Sequence, residues 1–326
     1  MGTRHLPARD KLTICFAHVA YRMGERFALR DAGLDWFEVR GFEDLKARIA
    51  EVDVLLCSGL WRNELIAAAP RLAFIQSISA GTDQYSRDSL RAAGIRVASA
   101  QGANERAVAE HAIALILAMA RKIPEARDNQ SAKKWRGMIG DISKREDELG
   151  GKTLLIVGMG RIGSRLATIA KAFDMRVIAI RRDPSKGAGA ADKVVREDEL
   201  LGMLPQADFV ALTCPLTPRT ENLIDATALA AMKPSAYLIN VARGKVVNEP
   251  ALVEALTQKR IAGAALDCVW DEPLPAASPL WGATNALITP HTAGETRRYE
   301  DNVIDLLLEN LERLWRGETE LRNQFV

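Results

Sequence analysis

Little in this sequence invites a metal ion or a disulfide framework. Its 326 residues include four cysteines, Cys15, Cys57, Cys214 and Cys268, which stand far apart, each beside apolar residues in a strand-like run. There is no CxxC and no Cys/His cluster, so neither a zinc site nor a disulfide scaffold has support; buried free thiols in a reducing cytoplasm are expected. Charge bias is missing too: 44 basic and 42 acidic side chains leave a formal net charge of +2. That balance creates no strong field for a phosphate backbone or an anionic membrane, which argues against nucleic acid as a partner. No apolar run approaches bilayer length. The start, MGTRHLPARDK, has no apolar core for secretion and reads as a frayed lead-in. No internal repeat is present. What remains is an ordinary globular composition, 48% hydrophobic and 26% charged, in a chain long enough for two domains.

Short apolar runs alternate with longer helical patterns almost throughout, which points to parallel α/β architecture. A first series of strands is expected at 12–16, 52–57, 72–78 and 96–98, with amphipathic stretches at 42–50 and 64–69. A second series is expected at 153–157, 176–180, 209–213, 237–240, 263–267 and 286–289. Several runs are apolar at consecutive positions, as in strands covered on both faces. Residues 105–121 are apolar nearly all round and predict a buried helix, stopped before Pro124, that suits a connection between domains. Residues 295–316 predict a long amphipathic helix ended by Gly317. Lys144–Glu148 is a charge run expected as a solvated loop, and residues 187–191 (GAGAA) a flexible one.

Gly158-Met159-Gly160-Arg161-Ile162-Gly163 follows the apolar run 153–157 and opens a helical pattern. A bare GxGxxG is weak; with a strand before and a helix after, it marks a dinucleotide site. The glycines let the backbone turn tightly and approach a pyrophosphate, to which the helix N-terminus presents N–H groups and partial positive charge. An NAD site usually places an acidic residue about 20 residues further on, at the end of the next strand, to accept from the ribose 2′-OH. Here Arg181 and Arg182 stand there, with Asp183 just beyond. An arginine cannot accept that bond but can bind a 2′-phosphate. Such a contact is worth about 1.5–3 kcal/mol, a roughly ten- to hundredfold preference. This favours NADP; the alternative is two solvated loop charges, with Asp183 turning in to serve NAD.

Three later segments place polar residues at predicted strand ends, where open α/β sheets hold ligands. They are 239–244 (INVARG), 267–275 (DCVWDEPLP) and 289–294 (TPHTAG). Reduction of a 2-keto acid needs a cation for the carboxylate and carbonyl, a proton donor for the developing alkoxide, and a group that tunes the donor. Arg243, His291 and Glu272 are those residue types, and a carboxylate beside an imidazole favours its charged form. Each alone has a plainer reading: Arg243 as a surface ion-pair partner, Glu272 as a turn cap before Pro273. His111, inside the apolar helix, reads as structural, and His5 and His18 carry no motif.

The stretches SISAGTD around Ser79, AVAEHAIALILA (107–118), GKTLLIVGMGRIG (151–163), CPLTPRT (214–220), MKPSAYLINVARGKVVNEPAL (232–252), LDCVWDEPLP (266–275) and TPHTAG (289–294) resemble the D-2-hydroxyacid dehydrogenase family over essentially the whole chain. The resemblance implies that Arg243 binds the substrate carboxylate and carbonyl, that His291 is the acid/base and that Glu272 pairs with it. It further implies that Asp267 contacts the nicotinamide carboxamide. Cys214, Pro215, Thr220, Val241, Ala242, His291 and Gly294 would line the cofactor cleft, and backbone N–H groups at Ser79, Ala80 and Gly81 would hold the substrate carboxylate. The implied fold is two doubly wound parallel-sheet domains. A flavodoxin-like substrate domain would take 1–104 plus 292–326 and a Rossmann dinucleotide domain 105–291, with the active site in a closing cleft. Members are usually dimers.

The chain departs from the family in places. Asn248 stands where an acid is common, a minor change. Arg181 resembles the NADP-using members. Formate-oxidising relatives have glutamine where Glu272 stands, and the length leaves no room for the regulatory domain of many phosphoglycerate-specific members. Rival readings are a dinucleotide-sensing corepressor of the same fold and another chemistry such as phosphite oxidation. Substrate choice falls to the loop 58–62 and to residues around Ser79; Trp61 offers a flat apolar wall and Arg62 a second anion contact, or both are ordinary loop residues. A glyoxylate or hydroxypyruvate reductase is expected.

Overall fold

The computed structural model describes Gly2 and residues 4–326, which divide into two compact units. One takes residues up to Asn104 and from Glu295 to Val326; the other is Glu105–Gly294. Each is built on a wholly parallel sheet.

In the first unit, strands β1 (Thr13–Ala17), β2 (Asp35–Val39), β3 (Val54–Cys57), β4 (Phe74–Ser77) and β5 (Arg96–Ala98) lie in the order β2-β1-β3-β4-β5. This is the flavodoxin-like order. Side chains alternate across the sheet. Ile14 and Phe16 face a core with Met23, Phe27 and the C-terminal helix Tyr299–Trp315. Cys15 and Ala17 face the opposite layer, with Leu45, Leu65 and Leu90. Strand β2 has no counterpart among the sequence expectations: as an edge strand, its pattern DWFEV exposes polar residues and lacks a continuous apolar run.

The second unit orders β6 (Thr153–Val157), β7 (Arg176–Ile180), β8 (Lys193–Val195), β9 (Phe209–Leu212), β10 (Tyr237–Asn240), β11 (Gly263–Leu266) and β12 (Ala286–Ile288) as β12-β11-β10-β9-β6-β7-β8. The first six strands reproduce the Rossmann order, with the direction of winding reversing between β6 and β9. One face packs on helices Glu105–Ala120 and Arg161–Lys171. The other is covered by residues of Leu200–Met203, Ala226–Ala231 and Glu249–Thr257.

The helix Glu105–Ala120 is therefore part of the second unit, packed on Arg161–Lys171, and only its first residue marks the chain's passage from the other unit. Pro124, expected to stop a helix, also opens one, Ile123–Ser131, because proline is tolerated in a first turn. The charge run 144–148 is a largely exposed loop, as expected, with Asp147 paired to Lys152 at 2.6 Å and Glu146 to Arg136. All four cysteines are buried free thiols. Among the described residues no helix is long and apolar enough to cross a membrane, and no group of acidic, histidine and cysteine side chains could hold a metal ion.

Candidate active site

The loop after β6 sits at the winding reversal. Gly158 has φ +106°, and a Cβ there would come within 2.6 Å of the Cys214 backbone. Only glycine permits that approach of the β6 and β9 loops. Thr213 Oγ1 locks the junction, donating to Gly158 O at 2.6 Å. Gly160 is the contrast: a Cβ there would meet nothing within 4 Å. That open flank, at the start of the helix Arg161–Lys171, fits a pyrophosphate on the helix N-terminus. Met159 is 3% exposed and packs into the core, so only its backbone faces the loop's open side.

At the end of β7, Arg181 lays its guanidinium on the carbonyls of Lys186 and Gly187, at 3.3 and 3.0 Å. Arg182 is exposed. Asp183 caps the turn Pro184–Lys186, accepting from the Ser185 N–H at 3.1 Å and its hydroxyl at 2.6 Å. On the β9 loop, Cys214 is buried and Pro215 exposed. Thr220 turns inward: its hydroxyl donates to Pro215 O at 2.7 Å and accepts from Thr217 N–H at 2.8 Å. Its hydroxyl is engaged within its own loop and is not turned outward, unlike the expectation that it lines a cofactor cleft.

Arg243 follows β10 behind Val241 and Ala242, both nearly buried. Asn240 sets the turn, accepting from Ala242 N–H at 3.0 Å and donating to Arg243 O at 3.1 Å. The next residue, Gly244, lies so close to Val269 that a Cβ would stand 1.8 Å from its carbonyl oxygen. Glu249 clamps the same junction by accepting from Trp270 N–H at 2.9 Å. The Arg243 and Glu272 loops are thereby packed backbone to backbone. Arg243 donates to Ala242 O at 2.7 Å and forms no ion pair among the described residues.

Glu272 Oε2 lies 2.7 Å from His291 Nδ1, and Oε1 accepts from Val269 N–H at 3.1 Å. The glutamate thus both caps its turn and holds the imidazole. Burial works to raise the Glu272 carboxyl, but the His291 hydrogen bond and charge, the Val269 N–H and the Arg243 charge outweigh it and hold the carboxyl below its ordinary range. With Nδ1 engaged, His291 has Nε2 left for exchange with a ligand.

Asp267, at the end of β11, is 2% exposed. Its carboxylate accepts from Thr289 Oγ1 at 2.6 Å and from the N–H groups of Thr292 and Ala293 at 3.0 Å each. The carboxylate expected to read the nicotinamide is thus engaged in shaping the loop that carries His291 and ends at Gly294. Sequence reading missed Asn240, Gly244 and Glu249. Their signals were an amide closing an apolar strand, a glycine beside Arg243, and a carboxylate opening a helix.

In the first unit Ser79 gives its N–H to Ser77 Oγ at 3.1 Å, and its hydroxyl meets Ser58 Oγ at 2.5 Å. Among the described residues the N–H groups of Ala80 and Gly81 have no protein acceptor. Trp61 is 1% exposed, packs near Tyr85 and donates to Asn63 Oδ1 at 3.1 Å. It is a core residue; the expected substrate wall is not there. Arg62 staples its own loop through Gly59 O and Trp61 O, at 2.8 Å each.

The topology and glycine loop define a dinucleotide-binding α/β protein. Residues 113–293 match the family model for the D-isomer specific 2-hydroxyacid dehydrogenase, NAD binding domain. The chain belongs to that family and is an NAD(P)-dependent oxidoreductase of small 2-hydroxy and 2-keto acids. It is similar to a glyoxylate reductase of Aeropyrum pernix, 35% identical over 293 residues, 87% of this chain and 86% of that one. Its fold matches the crystal structure of the TT0316 protein from Thermus thermophilus at TM-score 0.84 and 33% identity, covering 97% of this chain and all of that one. It also matches an NADPH-dependent glyoxylate/hydroxypyruvate reductase from Sinorhizobium meliloti, in complex with NADP and malonate, at TM-score 0.81 and 26% identity over 97% of each chain.

Proposed function

We propose that this enzyme reduces a small 2-keto acid of the glyoxylate and hydroxypyruvate type with NADPH, using Arg243, Glu272 and His291. The observation that carries the reading is the 2.7 Å pair of His291 Nδ1 and Glu272 Oε2, next to an arginine with no acidic partner. When bound, a reduced nicotinamide would supply the hydride that the carbonyl carbon receives. Arg243 engages the substrate carboxylate and polarises the carbonyl. His291 gives its Nε2 proton to the carbonyl oxygen, while Glu272 holds Nδ1 at 2.7 Å and orients the ring. In the first unit the open N–H groups of Ala80 and Gly81 suit a carboxylate; the Ser79 N–H is already engaged.

The NADPH preference is supported at the end of β7. Asp183, the acid that would have to serve a ribose 2′-OH, is held by Ser185, and two guanidinium groups stand beside it. The glyoxylate reductase similarity supports the substrate class. Steady-state kinetics with glyoxylate, hydroxypyruvate and pyruvate, each with NADPH and NADH, test both. A higher kcat/KM with NADPH and one of the first two acids is expected; faster turnover with NADH, or of pyruvate, overturns the corresponding half.

A homodimer is also proposed. Of the large exposed apolar side chains, Ile123, Trp135, Met138 and Ile142 fall within twenty residues of sequence, and Trp135 lines a groove of about 510 Å³ with Lys133 and Lys134. Large apolar side chains exposed in this number suit a second copy. The four buried thiols suit the reducing cytoplasm.

A further inference from the structure

Of the four histidines, His111 is the one on an apolar helix. It stands in Glu105–Ala120 among Val108, Ala112 and Leu115, with its side chain 23% exposed. It does not merely fill space. Its Nε2 lies 3.0 Å from Thr289 Oγ1 and 3.4 Å from Asp267 Oδ1.

The direction of these bonds can be assigned. Thr289 has one hydroxyl proton, and its Oγ1 is 2.6 Å from the acceptor Asp267 Oδ1. That proton goes to the carboxylate. Thr289 Oγ1 must then accept from His111, so Nε2 carries the proton. The Asp267 carboxylate gathers donors from both sides of the site histidine: Thr289 before it, Thr292 and Ala293 after it. Between them His291 has φ +55°, a backbone state that a residue with a side chain keeps only when its surroundings impose it. The imposing surroundings are this cluster, and His111 is its outermost member.

We propose that His111 is a positioning residue for proton transfer: through Thr289 and Asp267 it fixes the loop that sets His291 against Glu272. The proposal rests on the acid/base role given to His291 above. It also accounts for an imidazole where the helix otherwise calls for an aliphatic side chain.

The test uses the full chain and its best 2-keto acid. His111→Phe should lower kcat about ten- to hundredfold, because small misplacements of a reacting group cost that much. KM and Kd for the dinucleotide should stay within about twofold, as the glycine loop is untouched, a split that a merely structural role does not produce. His111→Gln, whose amide N–H can still donate to Thr289, should recover most of the loss. Thr289→Val should lose as much as His111→Phe, and the double variant no more than either, because both break one chain. In ¹⁵N spectra the His111 imidazole should be protonated at Nε2. Wild-type kcat in His111→Phe, additive losses in the double variant, or equal losses in His111→Gln and His111→Phe each overturn the proposal. If His111→Phe does not fold, Thr289 decides: a loss with Val restored by Thr289→Ser supports it, and unchanged kcat with Val overturns it. His291→Asn separates the two levels. Full turnover in that variant sinks the acid/base reading itself, whereas a dead His291→Asn with an active His111→Phe sinks the positioning role alone.

Discussion

His291 Nδ1 and Glu272 Oε2 meet at 2.7 Å across 19 residues of sequence. One follows β12 and the other follows β11, so neighbouring parallel strands bring their C-terminal loops together. The pair depends on backbone devices as much as on the two side chains. Glu272 is held through the Val269 N–H, and His291 through a left-handed backbone maintained by Asp267.

Replacing Glu272 by Gln keeps an acceptor for the imidazole but removes the carboxylate charge from beside Nδ1. The expected result is a fall in kcat for reduction of roughly ten- to hundredfold, with the dinucleotide KM little changed. The Glu272 carboxyl is held below its ordinary value of 4.5. The folded protein therefore binds that proton less tightly than the unfolded chain, and the pair's contribution is complete above pH 4.5 and lost as pH falls through the lowered value. A kcat profile whose Glu272-dependent acid limb lies above pH 4.5 contradicts this.

Arg243→Lys should act on the keto acid rather than the cofactor. Lysine keeps the charge but not the planar fork that grips a carboxylate and carbonyl together. The loss of one charge-assisted contact, about 1.5–3 kcal/mol, corresponds to a roughly ten- to hundredfold lower kcat/KM for the acid. An unchanged value in a kinetic titration removes Arg243 from substrate recognition.

Some of this was readable before any coordinates, and the boundary is physical. Buried parallel strands such as β6 and β9 announce themselves as apolar runs, and the glycine pattern at Gly158–Gly163 marks its own turn. Strand β2 did not, because an edge strand can expose polar residues and still pair. Residue type also says little about direction: Trp61 looked like a binding surface and is core, while Thr220 looked like a lining residue and folds its own loop. His111 read as a structural histidine because its partners, Asp267 and Thr289, lie 156 and 178 residues away. No local pattern encodes that meeting; it arises only once the helix packs beside β10 and β11.

The cysteines should be inert in the native state. Burial pushes the Cys214 thiol, on the loop after β9, up to about 11, and Cys57 up to about 12. Thiolate, the reactive form, is therefore scarce at neutral pH. Iodoacetamide followed by mass spectrometry should label none of the four in folded protein and all four in denaturant. Rapid labelling of Cys214 in the native protein contradicts the packing described.

Trp135 is 98% exposed and Met138 fully so. Trp135→Glu places a charge where a second copy would bury the indole. Light scattering should show a dimer in the wild type and a shift toward monomer in the variant, with the single-chain fold retained by circular dichroism. A wild-type monomer at micromolar concentration rules out the dimer.

The cofactor preference turns on which arginine is available. Arg181 rests on the carbonyls of Lys186 and Gly187, so its removal loosens the loop as well as removing charge. Arg182 is exposed, and its removal should act on the ligand alone. Arg182→Ala is therefore the cleaner variant. It should raise KM for NADPH about ten- to hundredfold, the worth of one charge-assisted contact, and leave KM for NADH nearly unchanged. Arg181→Ala should weaken both cofactors, because the loop between Asp183 and Gly187 borders either. Raising ionic strength should erode the NADPH preference of the wild type and not the NADH activity, since exposed charges are screened. Equal effects of Arg182→Ala on the two cofactors mean that the guanidinium does not read a 2′-phosphate, and the NADPH assignment falls with it.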